Sequence, residues 1–300
     1  MPLSDTKILI AGSNGFIGKH LCGFLSEKYQ IFGIGNENCA DGFYNKIDLT
    51  NTEETDNYVK ELDNVDVLIF LTGLAHSKGK NKQYDDFYNV NVQTLINLLS
   101  NLSKYNKLPS KIIFSSTISI YGENWKNGLY VEEMQPFPKS PYAMTKLEAE
   151  SYLLRNYMDS SWILRFSPVY SEDFKLNIDR RTKIKNKYYF VGNGKAKLSL
   201  LNIRNIEITV DSIIQNKIPS GIYNLADRKV YSYIDLLEYQ KAIKPLRIPR
   251  SFMYLINKIG LLINNNFLIE NSIKLATDNI YSPGKILKYI DLNKDLIDLK

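Results

Sequence analysis

The sequence predicts an α/β protein in which a doubly wound parallel sheet is followed by a smaller C-terminal lobe. Three observations predict it. Apolar runs of strand length alternate with helix-length segments through the first 166 residues, the pattern of strands buried on both faces by crossover helices. The first run, Ile8-Leu-Ile-Ala11, passes directly into Gly12-Ser-Asn-Gly-Phe-Ile-Gly18 and a helical repeat at Phe16, Ile17, Leu21 and Leu25, a strand turning into a helix. Beyond Ser167 the alternation weakens and basic residues gather at Lys175, Arg180, Arg181, Lys183, Lys185 and Lys187.

The elements follow in order. Ile31-Phe-Gly-Ile-Gly35 reads as the second strand and Lys46-Ile-Asp-Leu49 as the end of a short third. Thr52 to Leu62 is a helix, capped by Thr50 or Asn51, with Glu53 and Glu54 complementing the dipole in its first turn. Val65 to Leu71 is a strand, Phe87 to Tyr105 a long helix, and Lys111 to Ser115 another strand. Ser140-Pro141 caps and opens a helix running to about Met158, and Ser161 to Phe166 is the next strand. The opening strand, glycine turn and helix make residues 1–166 the expected dinucleotide-binding domain. Residues 167–300 form mainly a substrate-binding lobe, with elements returning to the sheet.

Each glycine of the first turn has a physical use. Gly12 permits the tight turn, Gly15 lets backbone approach a pyrophosphate, and Gly18 lets the helix pack close to the strand. An anion would then lie against the helix N-terminus. The spacing is G-x-x-G-x-x-G, and an ordinary glycine turn is the competing reading.

Composition removes other classes. Hydrophobic content of 44% and charged content of 23% are ordinary for a globular chain. The net charge of +6 is scattered, without a run of five basic residues, so nucleic acid is not an expected partner. Met1 to Lys7 runs into the first strand without room for a signal peptide, so a cytoplasmic location is expected. Ser251 to Ile269, interrupted by Lys258 and Asn264 to Asn266, is too broken to span a bilayer and reads as an amphipathic packing helix. No membrane insertion is expected. Cys22 and Cys39 have no metal or disulfide spacing; Cys22 reads as a small core residue. No metal site is expected.

Tyr142 and Lys146 lie four residues apart on one face of a predicted helix. An ammonium near a phenol favours the phenolate and lowers its pKa. A hydroxyl just past the strand Lys111–Ser115 can bond the same reacting oxygen, with Thr117 as first candidate and Ser116 as the neighbouring alternative.

With these motifs in hand, the chain resembles the extended short-chain dehydrogenase/reductase superfamily, in its nucleotide-sugar epimerase/dehydratase branch. The resemblance is carried by Gly12, Gly15 and Gly18; Asp48-Leu49; Leu71-Thr-Gly-Leu-Ala-His76; Asn91-Val-Gln; Phe114 to Gly122; Ser140 to Lys146; and Leu164-Arg165. It implies a Rossmann-type fold and catalytic roles for Thr117, Tyr142 and Lys146, with Lys146 also on the nicotinamide ribose. It places Gly12, Asn14, Gly15, Phe16, Ile17, Gly18, Asn36, Asp48, Leu49, Leu71, Thr72, Gly73 and Lys146 around the cofactor, Asp48 at the adenine. Ser116, Thr117, Tyr142, Lys195 and Arg204 are the expected substrate contacts, with Lys197 nearby. The implied partner is a nucleotide-diphosphate sugar, and a homodimer is allowed.

Departures narrow the reaction. Family 4,6-dehydratases carry Thr-Asp-Glu where this chain has Thr117-Ile118-Ser119, so the acidic pair for water elimination is missing. Sugar-acid decarboxylases place a glutamate where Ser119 stands. Hydride transfer at a sugar carbon remains, as 4-keto reduction or 4-epimerisation. The second strand ends in Gly35-Asn36 where NAD-specific members have an acidic residue, a lean toward NADP over NAD; Lys19 or Lys46 could meet a 2′-phosphate, against a solvated role for each. A non-catalytic dinucleotide sensor is the remaining alternative, and the Tyr142–Lys146 pair argues against it. His20 reads as a helix-surface residue; His76 as an active-site or hydrogen-bonded loop residue; Arg165 as structural support. The segment Leu275 to Ile290 resembles the closing part of nucleotide-sugar 4-reductases and epimerases.

Overall fold

The protein is described by a computed structural model covering residues 4–37, 44–75, 83–126 and 128–296. Cys39 and His76 lie outside the described residues. The chain forms two compact units. The first comprises Met1–Thr117, Pro141–Arg165 and Glu207–Ile222, and the second Ile118–Ser140, Phe166–Ile206 and Tyr223–Lys300.

The first unit is built on the expected parallel sheet. Its strands β1 (Lys7–Ala11), β2 (Gln30–Gly35), β3 (Tyr44–Lys46), β4 (Val67–Phe70) and β5 (Lys111–Thr117) join Ser161–Phe166 and Gly221–Leu225 in a seven-stranded sheet. The order is Gly221–Leu225, Ser161–Phe166, β5, β4, β1, β2, β3, the doubly wound order whose reversal point lies beside β1. In the parallel ladder Ile8 stands opposite Ile31 on one side and Val67 on the other. Strands covered on both faces need apolar residues at every position, and Ile8, Leu9, Ile10 and Ala11 are all fully buried.

Helices α1 (Phe16–Ser26), α2 (Thr52–Glu61), α3 (Tyr84–Tyr88), α4 (Thr94–Lys104) and α5 (Pro141–Asn156) connect the strands. Asn51, not Thr50, caps α2 through bonds from Glu53 N and Glu54 N at 3.1 and 3.2 Å. Leu95, Leu98, Leu99 and Leu102 of α4 recur at helical spacing and pack with Leu68, Phe70 and Phe114 of the sheet.

Several local expectations are corrected. The third strand is Tyr44–Lys46, because this polar edge segment pairs with β2 while Leu49 turns into the core. The long helix begins at Tyr84 and passes through a π-helical turn, Asn89–Gln93, before α4. Cys22 is half-buried rather than in the core, and His20 is half-buried beside Glu207 at 3.8 Å. The predicted Ser251–Ile269 helix is two, Arg250–Leu262 and Asn266–Ala276, separated where Asn264 takes a positive φ of 51°.

The second unit carries short sheets. One runs Tyr231–Ser232, Lys197–Leu198, Asn279–Tyr281, Gly128–Tyr130. Tyr170, Ile178, Leu198, Tyr231 and Leu236 form its core. The buried Asp227 holds several segments at once, accepting from Tyr170 Oη at 2.6 Å, Tyr231 Oη at 2.9 Å, Asn202 N at 2.7 Å and Asn205 Nδ2 at 2.8 Å. Among the described residues no helix is long and apolar enough to cross a membrane, and no cluster of His, Cys, Asp or Glu is arranged to hold a metal ion.

Candidate active site

The turn after β1 fits a dinucleotide phosphate. Gly12 has φ +86°, and a Cβ there would lie 2.9 Å from Thr72 N. At Gly18 a Cβ would lie 2.2 Å from Gly12 O and 2.7 Å from Ser13 Cα, so only glycine lets α1 pack this closely. A Cβ on Gly15 would meet only Gly12 O, at 3.3 Å, with open space elsewhere. That open side is what an approaching pyrophosphate requires. Gly15 is the N-cap of α1 and supplies no side-chain cap, and no acidic residue stands in the first turn. No side-chain oxygen therefore competes with an anion for the positive end of the helix.

The remaining expected cofactor residues belong to the first unit, Leu71 and Thr72 lying against Gly12. Asn14 packs against Gly35, whose Cβ would come within 2.3 Å of Asn14 Oδ1. A side chain at Gly35 would displace the Asn14 amide. Asn36 and Asp48 are exposed while Leu49 is buried, and one oxygen of Asp48 already accepts from Thr50 N and Oγ1 at 2.9 and 2.7 Å. Lys19 and Lys46 are exposed. Leu71, Thr72 and Gly73 leave the end of β4, and a Cβ on Gly73 would sit 3.0 Å from Lys146 Nζ. Lys146 is thereby set against the loop that follows β4.

The catalytic candidates meet at the end of β5. The side chains of Thr117 and Tyr142 are hydrogen-bonded. Lys146, 3% exposed, donates to Ser115 O at 2.8 Å and stands 4.7 Å from the Phe114 ring centroid. Ser116 donates to the buried Glu150 instead of serving Tyr142, so of the two neighbouring hydroxyls the structure brings only Thr117 to the phenol. Glu150 also forms a two-point pair with Arg165, Nη2 to Oε2 at 2.8 Å and Nε to Oε1 at 3.2 Å. Arg165 is thus a buried structural partner beneath the site.

Electrostatics correct one expectation. Burial pushes the Tyr142 phenol up, against the opposing hydrogen bond from Thr117, and pushes the Lys146 ammonium down to about 7, against the attraction of Glu150. The phenol is therefore not drawn toward neutrality by Lys146. Desolvation is the largest effect on both groups.

Asn91 lies in the π-helical turn, and its role was not evident from sequence. Its Oδ1 accepts from Leu74 N at 2.6 Å, and its Nδ2 donates to Thr145 Oγ1 at 2.9 Å. It ties the loop after β4 to α5, the kind of use that π-turns serve. In the second unit, Arg181, Ser199, Tyr233, Lys274, Asn279 and Tyr281 line a cavity. Arg181 donates to Asn177 O at 2.6 Å, and Lys274 pairs with Glu123 at 2.7 Å. Lys195 and Arg204 are exposed, as is Lys197, and do not line this cavity.

The fold is of the doubly wound kind used to bind dinucleotides, and it carries a Tyr-x-x-x-Lys pair at the end of β5. Residues 8–226 match the model of the NAD dependent epimerase/dehydratase family, and the chain belongs to that family. It is similar to an uncharacterized UDP-glucose epimerase, YtcB, of Bacillus subtilis, 32% identical over 55% of this chain and 57% of that protein. It is also similar to the GDP-6-deoxy-D-talose 4-dehydrogenase of Aggregatibacter actinomycetemcomitans, 32% identical over 47% and 45% of the two chains. The chain thus spans about half the length of the curated relatives it matches. A hypothetical dTDP-4-dehydrorhamnose reductase from Sulfolobus tokodaii shares the fold with a TM-score of 0.73 at 18% identity, covering 97% of this chain and 98% of its own. A UDP-glucuronic acid 4-epimerase from Bacillus cereus, solved with NAD, does so with a TM-score of 0.71 at 21% identity, covering 98% and 95%.

Proposed function

We propose that the protein reduces a nucleotide-linked 4-keto-6-deoxy sugar at the expense of NAD(P)H, as a step in forming polysaccharide precursors. The observation that carries the reading is the Thr117–Tyr142–Lys146 cluster at the end of β5, with Ile118 and Ser119 where elimination would need carboxylates. A bound nicotinamide dinucleotide would supply the hydride. Tyr142 gives its proton to the carbonyl oxygen, and its raised pKa keeps that proton in place until charge develops on the substrate. Thr117 orients the phenol. Lys146, held by the Ser115 carbonyl beside Gly73, donates toward the ribose and, in its protonated form, favours the forming phenolate.

The first unit holds the dinucleotide on the Gly12–Gly18 turn. The second receives the nucleotide sugar, and Arg181, set among the Asn177 carbonyl, Tyr189, Tyr233 and Tyr281, is its cationic contact rather than the exposed Lys195 or Arg204. NADP is favoured over NAD because the end of β2 carries no carboxylate to repel a 2′-phosphate.

A retained-cofactor 4-epimerase is the second reading, favoured by the family's description and by the matched epimerases. Stoichiometry separates the two. With a 4-keto-6-deoxy nucleotide sugar, absorbance at the nicotinamide band should fall by one NAD(P)H per sugar reduced. Interconversion of two 4-hydroxy epimers with no net absorbance change, by protein that purifies with bound dinucleotide, would overturn reduction.

A further inference from the structure

We infer that the helical hairpin Arg250–Leu262 and Asn266–Ala276 is a docking surface for an anionic lipid bilayer, on which the protein lies without spanning it. The two helices cross closely because Gly260 faces the second helix: a Cβ there would lie 3.0 Å from Ile269 Cγ1 and from Leu268 Cβ. Met253, Asn257 and Gly260 form the buried face of the first helix. On its opposite face Phe252, Leu255, Ile259 and Leu262 recur at helical spacing, and all four are exposed. The stripe continues over the tip of the hairpin through Ile263 and Phe267; Leu262 is 84% and Phe267 72% exposed. A helix that buries one face and presents large aliphatic and aromatic side chains on the other has a second apolar partner to find.

Charge identifies the partner. From Tyr239 to Ile269 the sequence contains no Asp or Glu, while Lys241, Lys244, Arg247, Arg250 and Lys258 are all exposed. A continuous apolar stripe in a segment whose only charged side chains are cations matches the boundary of an anionic bilayer, where aliphatic groups enter the acyl region and lysines meet the headgroups. A second copy of this chain fits less well. A two-fold contact would set the same patch against itself and bring like charges together.

The test is flotation of the full chain with vesicles of phosphatidylcholine alone, or with about one-third phosphatidylglycerol. Binding is expected only to the anionic vesicles and should weaken with salt. Lys244→Gln with Lys258→Gln should lower partitioning roughly 30-fold, since each basic residue near such a surface contributes about fivefold. Leu262→Ser, Ile263→Ser and Phe267→Ser together should abolish binding with an unchanged melting temperature and unchanged turnover, because these side chains are already in water. Three outcomes would overturn the proposal: equal binding to neutral vesicles, anionic binding untouched by either set, or patch-dependent dimers in sedimentation velocity without vesicle binding.

Discussion

Replacing Lys146 with methionine is expected to stabilise the protein while removing the amine from the site. Lys146 is 3% exposed, and burial takes its ammonium from 10.5 to about 7. Between those values the unfolded chain holds a proton that the folded chain has released, so stability rises with pH across this window. Below pH 7 both states hold the proton and the whole cost of burying the ammonium is present. That cost is on the order of 4 kcal/mol at pH 7 and about 2 kcal/mol at pH 9. Methionine removes it but deprives Ser115 O of this donor, a loss of about 1–3 kcal/mol that does not vary with pH. The net gain is about 2 kcal/mol at pH 7, raising the melting temperature by roughly 3 °C. At pH 9 the two proteins should melt together. Calorimetry of both proteins, free of dinucleotide, checks this. A variant that melts below the parent at pH 7, or a gap that stays constant to pH 9, would refute the reasoning.

Three further outcomes follow from named contacts. Tyr142→Phe should lower turnover by at least about a hundredfold while dinucleotide affinity, measured by calorimetry, is retained; full turnover by the folded variant would sink the assignment. Gly15→Val should weaken dinucleotide binding and leave the fold intact, whereas Gly18→Ala, which places a Cβ 2.2 Å from Gly12 O, should lower the melting temperature; equal affinity for Gly15→Val and parent would remove the phosphate role of the turn. Arg165→Met should cost about 3–5 kcal/mol in urea unfolding by stranding the Glu150 carboxylate, and adding Glu150→Leu should recover much of it; a single-variant loss below about 1 kcal/mol would contradict a strongly coupled pair.

The sheet was legible because a strand covered on both faces has no polar positions: Ile8 to Ala11 and Val67 to Phe70 are buried throughout. Tyr44–Lys46 was not, since a polar edge strand is set by its ladder to β2 and carries no pattern of its own. The two-residue strands Val169–Tyr170 and Leu201–Asn202 are too short to have a period. At the site, the glycine spacing and the Tyr142–Lys146 spacing are local and could be read directly. The partners of Ser116 and Asn91 are separated from them by 34 and 54 residues. Those pairings needed the fold, as did the choice of Thr117 over Ser116. Helical spacing placed Tyr142 and Lys146 on one face, but only burial showed that desolvation governs both groups.

The unread residues explain how the read ones are held. Tyr142, Lys146 and Glu150 occupy successive turns of one face of α5, and each is tied to β5: Tyr142 to the side chain of Thr117, Lys146 to Ser115 O, Glu150 to the Ser116 hydroxyl. Glu150 is tied in addition to Arg165 of the next strand. A rotation of α5 by one residue would turn this row about 100° away from the strand and break all three connections together. It would also bury an unpaired carboxylate and an unpaired guanidinium, which costs far more than a single hydrogen bond. The helix therefore has one tolerable orientation. The phenol is positioned by an ion pair two turns away, so loss of Arg165 or Glu150 should displace the proton donor even though neither touches it.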